Sequence, residues 1–329
     1  MSSKAMREDG AVTVVICTWN RSESLLATLN SLSEQKGIFD RDLEIIVVDN
    51  NSTDQTKNTF EQISENWKLG RLRYIFEPRQ GKQFALNAGI NAASHEILLF
   101  SDDDIKFKDD WILTALDRFG NFPSLELFGG KTLAIWPATG KPKWFDTSMS
   151  AVVGVVDLGD IRIDPAPDVY CPSGANTAAR KSLFDAVGKY SERHFRHMDH
   201  EFGMRCQLRK IKISYEPAMI VYAPVDEKCL TKRYFRKWSF KAGIANIEQK
   251  SDRQKTILYV ERWIYSRLIQ DLAWLTVKSW RSAPDVVFSR ELRIWRDLGT
   301  ICNAWHDRFF HNTHSEWVKN QSQKRNNNY

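Results

Sequence analysis

Three carboxylates in a row, Asp102, Asp103 and Asp104, follow the apolar run Ile97-Leu98-Leu99-Phe100, and no opposite charge comes until Lys106. Adjacent carboxylates repel one another. Placed at a strand end they suit a divalent cation that holds a phosphorylated ligand, because Mg2+ and Mn2+ take hard oxygen donors. In extended backbone Asp102 and Asp104, two residues apart, project to one side. A solvated acidic turn accounts for the same triplet, so the elements around it must decide. The other groups with chemistry to offer are Thr18, Asp49, the loop Arg79-Gln80-Gly81 and Asp199.

These groups follow apolar runs at regular intervals. Ala11 to Cys17, Leu43 to Val48, Leu72 to Phe76 and Ile97 to Phe100 read as strands. Between them, Ser22 to Ser31, the stretch up to Trp67, and Lys82 to Ala93 read as helices. Strands alternating with helices through short loops predict a parallel sheet with helices on both faces. In such a sheet Thr18, Asp49, the Arg79 loop and Asp102 to Asp104 converge on one edge, the carboxyl ends of the strands. That edge lacks Gly-x-Gly-x-x-Gly and Gly-x-x-x-x-Gly-Lys-Ser/Thr, which argues against a dinucleotide fingerprint and a P-loop.

Further along, Trp111 to Phe119 predicts a helix. Trp136 to Val169 is irregular, rich in Pro and aromatic residues, and reads as a loop-and-hairpin insertion near the site. Thr177 to Val187 predicts a helix, as does Asp199 to Leu208, where an acid in the first turn suits the helix dipole. Taken alone, Asp199 fits a capping role. Ile211 to Tyr215 predicts a short strand ending at Glu216-Pro217.

The 329 residues suffice for one large core with an appendage. No apolar run approaches the roughly 18 to 20 residues of a membrane span. Met1 to Gly10 is polar and carries no apolar signal-peptide stretch. Five scattered cysteines without a Cys-x-x-Cys pair predict reduced thiols in a cytoplasmic protein. Charge is unevenly spread. From Lys228 onward there are 20 Lys and Arg against 9 Asp and Glu, and before it 27 against 32. Seven of the twelve tryptophans lie in the basic part, which reads as an extension on a mildly acidic body.

Several segments carry a resemblance. They are VVICTWNR (Val14 to Arg21), IIVVDNNSTDQT (Ile45 to Thr56), GKQFALNAGINAASHEILLFSDDD (Gly81 to Asp104), SGANTAARKSLF (Ser173 to Phe184), DHEFGMR (Asp199 to Arg205) and RYFRKWSFKAG (Arg233 to Gly243). In this order the chain resembles the family 2 glycosyltransferases of the GT-A fold, from about Val12 to Gly243. The resemblance implies a nucleotide-sugar donor, Mn2+ or Mg2+, and transfer to an acceptor hydroxyl. It implies that Thr18 and Asp49 contact base and ribose, with Asn20, Arg21, Asn51, Arg79, Lys82, Asp102 and Asp103 among the nucleotide-sugar contacts. It assigns the metal to Asp104 with Asp102, and the catalytic base to Asp199, with Glu201 as fallback. It places Gly174, Ala175 and Asn176 on the acceptor side, where Trp144 is also expected.

The chain departs from the family pattern in places. Met198 stands where an acid often precedes the base, and Ala223 where many relatives have a His before Pro-Val. His194, His197 and His200 are spaced by three, but without the Cys or carboxylate pattern of structural zinc they read as a helix-start cluster near the acceptor. The Gln-x-x-Arg-Trp motif of processive synthases is absent, so addition of a single sugar is expected.

In the basic part, Thr231 to Ala245 is basic and aromatic, and Ile257 to Val277 and Phe288 to Trp305 read as helices. They pack on the core or lie on an anionic membrane, where basic faces with Trp and Phe are at home. No nucleic-acid module accompanies them, and no nucleic acid is expected. The expected architecture is α/β, a GT-A type, Rossmann-like, mostly parallel sheet flanked by helices, with a C-terminal helical extension. Its parts are a flexible N-terminus (1–11), a catalytic domain (12–228), a basic Trp-rich helical extension (229–318) and a disordered tail (319–329). The expected function is a metal-dependent, inverting glycosyltransferase using a UDP-sugar. It would act on a glycan or lipid-linked acceptor, in the cytoplasm or on the cytoplasmic membrane face. The alternatives are a nucleotidyltransferase, and a non-catalytic membrane- or glycan-binding protein on the same fold.

Overall fold

The apolar, β-branched runs of the first hundred residues form the strands that their pattern predicts. In the computed structural model, residues 10–167, 170–193, 197–245, 256–310 and 316–318 are described. There β1 (Val12–Thr18), β2 (Leu43–Asp49), β3 (Arg71–Phe76) and β4 (Ile97–Asp102) alternate with α1 (Ser22–Ser33), α2 (Thr56–Glu65) and α3 (Lys82–Ala92). The four strands run parallel in the order β3-β2-β1-β4. Every residue of β1 and β2 is buried, as strands covered on both faces must be.

The sheet continues through β5 (Lys106–Phe107), α4 (Trp111–Asn121), β6 (Leu127–Ile135), β7 (Thr177–Arg180), α5 (Lys181–Val187), α6 (Met198–Leu208) and β8 (Ile213–Pro224). Its eight strands lie in the order β3-β2-β1-β4-β7-β6-β8-β5. β7 is antiparallel to β4 and β6, while β6 and β8 are parallel, so the sheet is mostly parallel as expected. Leu25, Leu29, Trp111 and Phe128 fill one apolar core, and Leu86, Phe100, Phe184 and Tyr215 fill another.

Two expectations are corrected. Thr177 to Val187 is not one helix: Thr177–Arg180 is a strand and only Lys181–Val187 is helical. The strand begun at Ile213 does not stop at Glu216-Pro217 but runs to Pro224. The register against β6 jumps from Gly130↔Glu216 to Lys131↔Ile220, which sets Pro217 in a bulge where its missing N–H costs no ladder bond.

By their internal packing the described residues fall into two units. The sheet unit comprises the residues up to 135, 154–193 and 198–224. The second unit takes 136–153, His197 and the residues from 225 onward, so of the stretch 136–169 read as an insertion near the site, 136–153 groups with the C-terminal helices. There α7 (Lys232–Ile244) is capped by Thr231, whose hydroxyl accepts the Tyr234 N–H at 3.2 Å. A small hairpin of β9 (Thr256–Ile257) and β10 (Val260–Glu261) leads into α8 (Arg262–Lys278), and α9 (Pro284–Phe309) follows.

The core of this unit is aromatic: Phe145, Phe235 and Phe288 with Met149 and Leu292. α7 and α9 approach closely at Gly243 and Gly299. A Cβ on either would stand 2.0 or 2.1 Å from the opposing carbonyl oxygen, of Arg296 or Phe240. Among the described residues no helix is long and apolar enough to cross a membrane. The calls on the N-terminal nine residues, His194 and the tail from 319 lie outside the described residues.

Candidate functional site

Strand register brings the polar groups into line. Thr18 pairs with Asp49, Cys17 with Asp102, and Asp49 with Phe76, so β1, β2, β3 and β4 end together. Because β7 runs the other way, its entry loop Ser173 to Asn176 reaches the same rim, where Ser101 Oγ donates to the Ala175 carbonyl at 3.1 Å.

The acid triplet divides by burial. Asp103 is 5% exposed. Its Oδ2 accepts from the Thr18 hydroxyl at 2.8 Å and its Oδ1 from Arg21 Nη1 at 3.0 Å. Burial pushes its carboxyl above the usual carboxylate range, against the pull of Arg21. Both oxygens of Asp103 are thus engaged, one by Thr18 and one by Arg21. Asp104 has a side chain 44% exposed. Asp102 is half-buried and accepts from Lys82 Nζ.

Lys82 joins the two halves of the rim. Burial opposes its charge, but Asp102 outweighs burial and Asp199 adds to it, so its ammonium is held above the ordinary lysine range. A Cβ on Gly174 would stand 3.5 Å from Lys82 Nζ. The Gly174 N–H donates to Asp199 Oδ2 at 3.2 Å, and Asp199 Oδ1 accepts the His200 N–H at 2.9 Å. Asp199 thus sits in the first turn of α6, as a capping acid would, and also at the site. Its fallback, Glu201, is buried and tied to Arg205 at 2.6 and 3.0 Å, so it is poorly placed to take a proton.

The loops after β1 and β2 are laced together. Asp49 is buried, accepting from the Tyr74 hydroxyl at 2.5 Å and the Ser52 N–H at 2.9 Å. Burial and that carboxylate hold the Tyr74 hydroxyl above its ordinary range. Asn20, with a φ of 51°, accepts the Thr53 N–H at 2.7 Å, while Asn51, with a φ of 65°, is half-buried. Arg79 stacks over Phe84 at 4.6 Å and pairs with Glu77 and Glu192.

Sequence reasoning missed Asn50, which donates to the Arg79 carbonyl at 2.6 Å and accepts the Gly81 N–H at 2.7 Å. Its place beside Asp49, at the end of β2, was the available signal. Cys17 was missed as a neighbour of the site; burial pushes its thiol up to about 12, which leaves it inert.

The acceptor-side calls separate. Gly174 stands beside Asp199 and Lys82, as above. Asn176 is 1% exposed and donates to the Lys131 and Met219 carbonyls at 2.9 Å each, while accepting from Trp111 Nε1 at 2.8 Å. It fastens the sheet, and Ala175 beside it is buried. Trp144 lies in the helical unit, half-buried and edge-on to Phe235 at 5.0 Å and Phe288 at 4.9 Å, packed against that unit's aromatic core. His197 has its ring 6.2 Å from that of Trp238, and the His200 carbonyl accepts from the Cys171 thiol.

Among the described residues no three His, Cys, Asp or Glu side chains converge on one point. Asp102 and Asp104 nevertheless fit a hard cation that draws its other ligands from a diphosphate and water. Both oxygen donors stand at the mouth of the rim, and both already carry a cationic partner, Lys82 and Arg21.

Comparison with known proteins matches residues 13–131 to the family described as Glycosyl transferase family 2. The GalNAc(5)-diNAcBac-PP-undecaprenol beta-1,3-glucosyltransferase of Campylobacter jejuni is 34% identical over 109 residues, 32% of this chain and 34% of its own length. The poly-beta-1,6-N-acetyl-D-glucosamine synthase of Staphylococcus epidermidis is 25% identical over 217 residues, 66% of this chain and 50% of its own. The matched stretch thus spans half or less of the length of these relatives.

The fold is shared with a mannosyltransferase of Pyrobaculum calidifontis solved with GDP-Man and Mn2+ (TM-score 0.53, 16% identity, 94% of this chain and 84% of that one). It is also shared with residues 1–349 of S. aureus TarS solved with UDP-GlcNAc (TM-score 0.50, 17% identity, 92% of each chain).

Proposed function

Because the chain belongs, through residues 13–131, to glycosyl transferase family 2, we propose that it transfers one sugar from a nucleotide diphosphate sugar to an acceptor hydroxyl. The observation that carries this is the meeting of Asp102, Lys82, Gly174 and Asp199 at the carboxyl end of β4. A UDP-sugar is the donor we favour, in line with the UDP-GlcNAc held by a protein of the same fold. A lipid-linked glycan is the favoured acceptor, in line with the undecaprenol-linked substrate in the name of a relative.

In this reading the loops after β1 and β2, pinned by Asn20, Asp49 and Asn50, form the seat for base and ribose. Asp102 and Asp104 hold a divalent cation, Mn2+ or Mg2+, which neutralises charge on the leaving diphosphate. Lys82 adds a fixed positive charge on the same side. Asp199, across the rim and oriented by the Gly174 N–H, takes the proton from the acceptor hydroxyl as it attacks. Attack from the face opposite the leaving group inverts the anomeric centre, by the logic that separates inverting from retaining glycosidases.

A thermal-shift screen of nucleotides and nucleotide sugars, with and without Mn2+, tests the reading. Ligand that binds the folded state raises Tm by mass action, and UDP-sugars should raise it more with Mn2+ than without. Stabilisation by nucleoside triphosphates alone, with release of diphosphate, would instead establish a nucleotidyltransferase. No shift with any nucleotide would leave a binding protein on this fold.

A further inference from the structure

The outer face of α8 carries an apolar stripe that no described residue covers. Ile269, Leu272, Ala273 and Val277 recur at helical spacing, and Trp280 extends the row just beyond the helix. Ile269 is 66% exposed, Leu272 47%, Val277 64% and Trp280 69%. The opposite face is fixed inward. Ile264 packs with Val260 and Ile301, and the buried Asp271 is held by Arg290 and Arg293. The helix therefore cannot roll its stripe under.

Charge selects the occupant. Asp271 is the one acid between residues 262 and 281, and it is buried between two arginines. The other charged residues of that segment are Arg262, Arg267, Lys278 and Arg281. Arg267 pairs with Asp297, whereas Arg262, Lys278 and Arg281 meet no carboxylate among the described residues. Arg281 lies over the Trp280 ring at 4.0 Å. An exposed apolar strip with Trp at its edge, on a segment (262–281) whose exposed charges are positive, matches the interface of an anionic bilayer. Two copies of the same surface would set positive charges against each other.

The turn ahead of the helix has the same character. Leu258 and Tyr259 occupy adjacent left-handed positions, φ 47° and 67°, which favour Gly or Asn. Leu258 is held out into solvent there.

We propose that this stripe seats the protein on an anionic phospholipid surface with α8 lying in the plane of the interface. Its purpose rests on the lipid-linked acceptor proposed above, although its physics does not.

The test is co-flotation of the full chain with vesicles of phosphatidylcholine containing phosphatidylglycerol, and with phosphatidylcholine alone. The wild type should float with the anionic vesicles and lose binding as salt rises. Ile269→Glu with Val277→Glu, and separately Lys278→Glu with Arg281→Glu, should each cut partitioning by about tenfold or more. Both should keep the nucleotide-dependent Tm shift of the wild type, which certifies the fold. A wild type that does not float, or charge variants that float equally well, overturns the proposal. So does a wild-type dimer that the stripe variant turns into a monomer with flotation unchanged. If flotation behaves as stated and no nucleotide sugar shifts Tm, the donor reading fails and the surface stands.

Discussion

Arg21 is joined to Asp104 at 2.5 Å, Nη1 to Oδ2, and through the same nitrogen to the buried Asp103. The exposed carboxylate assigned to the metal is therefore already neutralised. In the proposed reading a divalent cation would compete with a guanidinium for it, and a donor diphosphate sharing the cation would favour its binding. Asp104→Ala, at an exposed position, should fold normally. It should lose the Mn2+-dependent part of the donor-induced Tm shift and about 100-fold or more in transfer rate, the scale of several kcal/mol of charge stabilisation. An undiminished Mn2+ effect would move the metal to other residues.

Asp199→Asn keeps an oxygen to accept the Gly174 N–H but cannot take a proton. Donor binding should persist while kcat falls by about 10^2 to 10^4, the usual share of a general base. Single-turnover kinetics with a water-soluble acceptor would measure this. An unchanged kcat would remove Asp199 from the chemistry.

Glu44 predicts an acid limb in stability. Its side chain is buried. Burial opposes its ionisation, yet the Ser94 N–H, the Arg73 guanidinium and the Thr13 and Ser94 hydroxyls hold its carboxyl at about 2 in place of the ordinary 4.5. Between these values the unfolded chain binds more protons than the folded one. The stabilisation is therefore complete above about pH 4.5 and is lost as pH falls toward 2. Glu44→Gln should cost about 2 kcal/mol at pH 7 and flatten that limb. Urea melts across the range decide it: a variant with the wild-type slope would mean Glu44 is not the group responsible.

Asn176→Ala separates fastening from recognition. It removes three buried hydrogen bonds, leaving the Trp111 N–H and the Lys131 and Met219 carbonyls each one bond short. A loss of about 2 to 3 kcal/mol, several degrees in Tm, is expected. The KM for acceptor in the remaining folded protein should not move. A large KM change at constant Tm would restore Asn176 to the acceptor side.

The part of the fold from β1 to β4 is readable from sequence because its strands are largely buried and end in polar loops. Apolar β-branched runs such as Leu43–Asp49 can hardly be anything else. Thr177–Arg180 was opaque because TAAR has no strand signal of its own; its strand state comes from pairing with β4 and β6, partners distant in sequence. The run past Pro217 was hidden because the bulge that tolerates it forms only against Gly130 and Lys131. At the site, residue types announced which groups could react. They did not announce which were already bonded. Asp103 and Asn176 look as available in sequence as Asp104, Gly174 and Asp199, and only burial tells them apart.

The reversed direction of β7 has an evolutionary corollary. It delivers Gly174 to the rim from a segment beyond residue 131, where the family match ends, while Asp102 and Lys82 arrive from within it. In the proposed transfer, the groups that would handle the donor and those that would face the acceptor are thus written in separate stretches of the gene that meet only in three dimensions. A lineage can redraft the second passage and acquire a new product while the first remains word for word the same.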